Sequence, residues 1–250
     1  MRGVWGVWRL RLPALALLVA LLPLPLLAFV PAPDKLTDAA ARANYNHGRT
    51  GGLRLNVALF TELPTPQLEP IATGQLVADP ARSAARLDLV GRNGVRERHL
   101  WTGGGARTWR DGAALTDARA LLPPVYLLQF RYGRSLRTAL RSLGVDLERA
   151  DLARSDVHDC FVVGGRNPAP APEGFARHAS VWLDSYSYEI VRIDLASGSR
   201  FRFGPVVDFG DRRLPSWVAL EQEGREQLYL AVQDAAAAKL TAGDFRAPAP

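Results

Sequence analysis

One short run holds the residue types best suited to chemistry: Asp156-Val157-His158-Asp159-Cys160. On an extended strand, side chains two positions apart share a face, which would bring Asp156, His158 and Cys160 together. Such a set has donors for a metal ion, or for a cysteine nucleophile activated by an imidazole. A metal would need a further ligand, to which the sequence does not point. A half-buried strand with one packed thiol has the same pattern. Elsewhere there is no Gly-x-Ser-x-Gly elbow, no His-Glu-x-x-His zinc helix and no phosphate-binding glycine loop. Gly103-Gly104-Gly105 reads as a hairpin turn. The sequence therefore predicts no enzyme, no metal and no cofactor. His99 and His178 fall on strands and read as solvent-facing.

Charge narrows the partners. The chain of 250 residues has a formal net charge of +6. Three of those charges, Arg2, Arg9 and Arg11, lie in a leading segment without acids, so the remainder carries +3. Acids and bases are interspersed there, which argues against nucleic-acid binding. Cys160 is the single cysteine, so no intrachain disulfide can form.

The leader itself reads as an export signal. Its arginines precede an uncharged stretch from Leu12 to Ala32. Residues 1–32 are either a cleaved signal peptide or a retained anchor. Pro13, Pro23 and Pro25 disfavour a stable spanning helix, and the stretch barely reaches the ~20 residues a span requires. Both readings predict a periplasmic location, soluble in the first case and tethered in the second. Residues 33–250 are one domain's worth of chain, enough to bury ~70% of the unfolded surface.

Periodicity supplies the elements. Asp34 to Asn46 has a helical apolar face. Leu53–Phe60, Ile71–Val77, Ala84–Val90, Val95–Trp101 and Ala106–Arg110 read as strands, with Asn93-Gly94 as a tight hairpin turn. From Leu121 to Arg154 the spacing turns helical, with Leu136, Leu140 and Leu143 as one apolar stripe. Val157–Gly164 returns to strand. Arg177 to Gln233 then reads as five strands in a meander: Ala179, Val181 and Leu183 alternate with polar or aromatic neighbours, as do Val191, Ile193 and Leu195, then Phe201 and Phe203. Arg192, Arg200 and Arg202 alternate with those apolar residues. They predict a wet outer face with a charge ladder to Asp184 and Asp194, or a docking patch for an acidic partner or for anionic headgroups. Helix, five strands, helical insert and six strands make an α+β class with a mostly antiparallel sheet.

This order of elements resembles the LolA/LolB-like periplasmic lipoprotein carrier superfamily. Gly74-Gln75-Leu76-Val77-Ala78-Asp79-Pro80 is similar to its "G-x-L-x-x-x-P" strand, and Arg82 to Leu87 follows as the next strand would. Gly105 to Gly112 resembles its "dG-x-x-x-W-x-y" strand, and Val181–Asp184 with Ile190–Ile193 its "v-x-L-D" hairpin. Leu214-Pro215 and Gly243-Asp244-Phe245 resemble its last strands. The resemblance implies an incomplete antiparallel β-barrel of about eleven strands with an N-terminal helix and a helical lid insert at 121–154. It implies a monomer that holds acyl chains of a lipid or lipoprotein, with inner- or outer-membrane partner proteins. The candidate ligand-binding residues are Trp101, Trp109, Trp182, Phe201, Phe203 and Leu230 on the sheet, with Leu136 and Leu140 on the insert. An ordinary core packed against the insert would use the same residues. One position departs from the family. Its lipoprotein carriers hold the lid with an arginine just before the strand-ending proline, and here that position is Asp79. Arg82 or Arg86 is the candidate replacement. Relatives of this fold also act as membrane-tethered envelope sensors or acceptors, the rival reading.

Overall fold

The computed structural model describes residues 30–48, 51–102, 105–116, 121–155, 158–168, 172 and 175–248. The leader through residue 29 therefore lies outside the described residues, as do Asp156 and Val157. Helix α1, Pro33–Ala43, starts with proline at a first-turn position, where its missing N–H is not needed. It buries Leu36, Ala40 and Ala41. A 3-10 turn over Asn44–His47 extends it and ends at Gly48, with φ of +80°. A Cβ at Gly48 would stand 2.3 Å from the carbonyl oxygen of Asp211, so this close approach requires glycine.

Six strands follow: β1 (Leu53–Phe60), β2 (Ala72–Asp79), β3 (Ala84–Gly91), β4 (Arg96–Thr102), β5 (Gly105–Arg110) and β6 (Ala113–Leu115). The insert then contributes a 3-10 segment, Val125–Gln129, and helix α2, Gly133–Ser142. Nine more strands complete the chain: β7 (Ala150–Ser155), β8 (His158–Gly164), β9 (Ser180–Asp184), β10 (Ile190–Asp194), β11 (Ser199–Phe203), β12 (Val206–Phe209), β13 (Arg212–Pro215), β14 (Trp217–Gln222) and β15 (Leu228–Ala237). Thirteen strands form one sheet in the order β6-β5-β4-β3-β2-β1-β15-β14-β11-β10-β9-β8-β7, and β12 and β13 form a separate hairpin. Every pairing of named strands is antiparallel, and β1 pairs with β15 in the middle.

This is the α+β incomplete barrel the sequence predicted. The eleven expected strands are all present, and β6 and β7 bring the sheet to thirteen. Both additions lie at the sheet edges, and the insert runs from one edge to the other. The expected insert is shortened accordingly: its last piece, read as helical around Leu152, is edge strand β7, and Leu152 is 43% exposed. Gly243-Asp244-Phe245 is a 3-10 turn rather than a strand. Thr241 and Asp244 close it in a capping box, and buried Phe245 docks on the outer face beside Val77, Ala84 and Leu100.

Period-two alternation gives the sheet two unlike faces. The inner face carries Leu53, Leu55, Leu76, Leu87, Val163, Val181, Ile193, Phe201, Val218 and Leu230. The insert covers that face with Tyr126, Leu127, Leu128, Leu136 and Leu140, and all belong to one buried cluster.

Candidate functional site

The inner face is closed in this structure. Tyr126, Leu127, Leu128 and Leu140 are fully buried, and α2 packs on α1. Burial raises the Tyr126 phenol pKa well above its usual value, an effect partly offset by the Trp101 indole. The rings of Tyr126 and Phe130 meet edge to face, 6.4 Å apart.

Polar ties hold the insert to the N-terminal helix. The Asn44 Nδ2 donates to the carbonyls of Leu127 and Phe130, each at 2.9 Å. Arg137 in α2 reaches the Asp38 carboxylate at 2.7 Å and the Thr37 hydroxyl at 3.0 Å. Arg131 donates to the carbonyl of Gly48 and lies over the Tyr45 ring at 4.9 Å. Asp79 instead points to the outer side, accepts from Ala81 N at 2.9 Å and pairs with Arg82 across the β2–β3 turn. Arg86 bonds the carbonyl of Asp244 and the carboxylate of Asp88 on that outer side. Neither candidate arginine ties the insert to α1; the arginines that do so, Arg131 and Arg137, lie in the insert itself.

Of the eight sequence-derived candidates, six meet the inner cluster: Phe201, Leu230, Leu136 and Leu140 within it, Trp101 and Phe203 packed against it. Two lie on the opposite face. Trp109 packs against the cluster of Val77, Leu100 and Phe245. Trp182 packs with Cys160 and Val162, donates to the Ser180 hydroxyl at 3.1 Å and lies 4.0 Å beneath the Arg192 guanidinium. Strand parity is the reason, because Val181 and Leu183 already face inward. Asn44, Arg131 and Arg137 were not singled out from the sequence, since contacts about 85 to 100 residues apart leave no local signal.

The His158–Cys160 segment does not assemble a reactive centre. The Cys160 thiol is fully buried, donates to the carbonyl of His158 at 3.6 Å, and burial raises its pKa to about 11. The His158 Nδ1 instead meets Asp184 at 2.9 Å, and Asp184 also accepts backbone N–H bonds from Tyr186 and Ser187. Among the described residues no three His, Cys, Asp or Glu side chains are grouped to hold a metal. At pH 8 the native thiol is expected to be alkylated at least ~100-fold more slowly than in denaturant, because only the thiolate reacts. Equal rates in native and unfolded protein would refute its burial.

His99, read as solvent-facing, is only 3% exposed. Its Nδ1 lies 3.0 Å from the Thr108 hydroxyl and its Nε2 3.2 Å from Glu97, which Arg110 also holds at 2.7 Å. The acid–imidazole–hydroxyl order is that of an activated nucleophile, but Thr108 lines none of the described cavities, and each member is spent on cross-strand bonds. The hydrogen bond to His99 leads the effects that lower the Glu97 pKa from 4.5 to about 2. A carboxylate with a depressed folded pKa contributes stability that is present above its unfolded pKa and lost as pH falls. Glu97→Gln is therefore expected to flatten the acid limb of the stability curve between pH 4.5 and about 2. Urea midpoints across that range check this; parallel limbs would contradict it.

The predicted charge ladder exists with altered membership. Arg192 forks onto Asp194 at 2.8 and 2.6 Å, Arg200 bridges Asp194 at 3.1 Å and Glu221 at 3.3 Å, and Arg202 holds Glu221 at 2.5 Å. Glu221 takes the place expected for Asp184.

Cavities open at the rim and on the outer side of the sheet. One of about 1080 Å³ opens on the outer side between the proline-rich Glu62–Pro70 loop and Trp217. Another of about 640 Å³ lies at the rim, where Tyr45, Pro80, Phe130 and Arg131 converge. Among the described residues, no helix is long and apolar enough to cross a membrane.

No protein-family model matches the chain, and no curated protein sequence matches it. Among solved structures it is similar to a LolA superfamily protein, NE2245 from Nitrosomonas europaea, at 10% identity over 86% of this chain and 98% of that one, with a TM-score of 0.49. A DUF1329 family protein from Desulfovibrio piger aligns at 10% identity over the same shares, 86% and 98%, with a TM-score of 0.47. The lipoprotein LppX from Mycobacterium tuberculosis aligns at 12% identity over 80% of this chain and 93% of that one, with a TM-score of 0.24.

Proposed function

We propose that this chain is an exported, non-enzymatic carrier that holds acyl chains of a lipid or lipoprotein on the inner face of its sheet, beneath the insert. One observation carries the reading: an apolar sheet face meets an apolar insert underside, while the insert's link to α1 combines apolar packing with a small set of polar bonds from Asn44 and Arg137. Such a lid can leave as a unit. Undocking it uncovers at least the five large apolar side chains Tyr126, Leu127, Leu128, Leu136 and Leu140, together with the sheet face they cover; at ~1.5–3 kcal/mol per side chain the cost exceeds ~7–15 kcal/mol. A ~16-carbon acyl chain offers ~12 kcal/mol at ~0.8 per methylene, before the cost of ordering it. One chain falls short of the opening, and two or three are of the size that offsets it.

The carrier is a periplasmic monomer in this reading, with residues 1–32 as its export signal or anchor and 33–250 as its single domain. Delipidated protein exposed to envelope extract is expected to yield stoichiometric lipid by mass spectrometry. No lipid on a protein whose fold is intact would sink the carrier. The filled inner face favours one alternative, a membrane-tethered envelope sensor or acceptor that uses the same domain as a rigid body. N-terminal sequencing of the exported protein separates the two, since a shuttle requires a cleaved leader.

A further inference from the structure

The rim cavity of about 640 Å³ is unlike the apolar space under the lid. Gln129, only 4% exposed, lines it, and neither atom of its carboxamide has a partner among the described residues. Arg131, 9% exposed, lines it too. One terminal nitrogen of that guanidinium donates to Gly48, while the other, Nη1, is buried with no partner. A polar group buried without a partner costs free energy, and a charged one costs more. Among the described residues no carboxylate pairs with Arg131. Burial lowers its pKa, and Arg212, a second buried guanidinium, lowers it further. The cavity is thus walled by a cation and by an amide whose N–H₂ and carbonyl lie just beneath its surface without a partner among the described residues, with Tyr45 and Tyr132 largely exposed at its edge.

These groups specify a ligand chemistry. The guanidinium and the amide N–H₂ call for an oxyanion. The Gln129 Oε1 calls for a donor, which a bare carboxylate or sulfate lacks. We infer that Gln129 and Arg131 form a subsite for an oxyanion that bears a neighbouring hydroxyl, of the phosphoglycerol or hydrogen-phosphate type. Such a group comes from a free phosphate ester or from the headgroup of a phospholipid. The headgroup case rests on the carrier reading, with acyl chains entering beneath the lid while the headgroup stays at its rim. The free-ester case does not.

Side-chain ¹⁵N resonances of Gln129 and Arg131 in the full chain test this, with sn-glycerol 3-phosphate, dihexanoyl phosphatidylglycerol, sulfate and neutral dihexanoylglycerol as probes. Glycerol phosphate or the phospholipid is expected to shift both resonances, and sulfate to bind at least 5-fold more weakly. Gln129→Leu is expected to weaken glycerol phosphate binding at least 10-fold and Arg131→Met to abolish it. A response to glycerol phosphate upholds the site for free esters. A response to phosphatidylglycerol alone upholds it for headgroups. Silence of both resonances in the wild type, which needs no variant to fold, overturns the inference, as does equal affinity in Gln129→Leu or for sulfate. Loss of dihexanoylglycerol uptake alone, with glycerol phosphate still bound, counts against the carrier and leaves this site standing.

Discussion

Asp38→Cys combined with Gly133→Cys is expected to shut down acyl uptake when oxidised and to restore it on reduction. A Cβ added at Gly133 would stand 2.8 Å from the Asp38 Cγ, so the two positions lie within reach of a disulfide. Its Cβ atoms need only ~3.5–4.5 Å of separation. The bond would join α1 to α2 across the seam that Arg137 now spans with its 2.7 Å ion pair to Asp38. A disulfide commonly contributes ~2–4 kcal/mol, which lowers the population of an open lid about 30- to 900-fold. Buried Cys160 should not compete for the new thiols. Uptake of a fluorescent fatty acid, with and without dithiothreitol, reads the effect. If the oxidised protein loads as fast as the reduced one, ligand does not enter by separation of α1 from α2.

Tyr126→Ala should be the most destabilising single change in the insert, and the most informative. The side chain is fully buried between Phe130, Trp101 and the inner sheet face. Truncating a large buried aromatic costs ~3–5 kcal/mol, a large share of the ~5–15 kcal/mol that holds a domain folded. At ~2–4 °C per kcal/mol for a domain of this size, Tm should fall by roughly 6–20 °C. The void would form against the surface proposed for acyl chains. A long-chain fatty acid is therefore expected to raise Tm more in the variant than in the wild type, because ligand binding stabilises the state it fills. A loss of Tm that the fatty acid does not recover would mean the space under Tyr126 is separate from any acyl site.

The parts of this molecule that were legible in its sequence are those where one strand face is apolar over several residues. Leu53, Leu55, Val57 and Leu59 announce their face, and so do Val181 and Leu183. Where the run is short or sits at an edge, the signal fades. Ala113–Leu115 is too brief to alternate, and Leu152 in β7 faces solvent, so neither strand could be read. The β12–β13 hairpin is half wet and four residues per strand. Residue type misled in two places: Trp109 and Trp182 are large and apolar, but parity puts both outside, where small clusters and arginine faces absorb them. The polar ties were invisible for a different reason. The Asn44 backbone caps α1, but its side-chain amide finds its partners at the distant carbonyls of Leu127 and Phe130, through packing alone.

The seam between β1 and β15 has a kinetic consequence. The first and last strands of the sheet are direct neighbours at its centre, in register from Leu53↔Ala237 to Phe60↔Tyr229. Each half of the sheet is a run of neighbouring hairpins that can form as soon as its residues are available. The two halves become one sheet only when β15 arrives, and closing that loop of about 170 residues is the slow, entropically expensive step. A chain threaded through a membrane from its N-terminus would thus stay in two unjoined pieces, each with a bare strand edge, until nearly its last residues emerged. That interval is when it is most exposed to aggregation and most dependent on a holding factor.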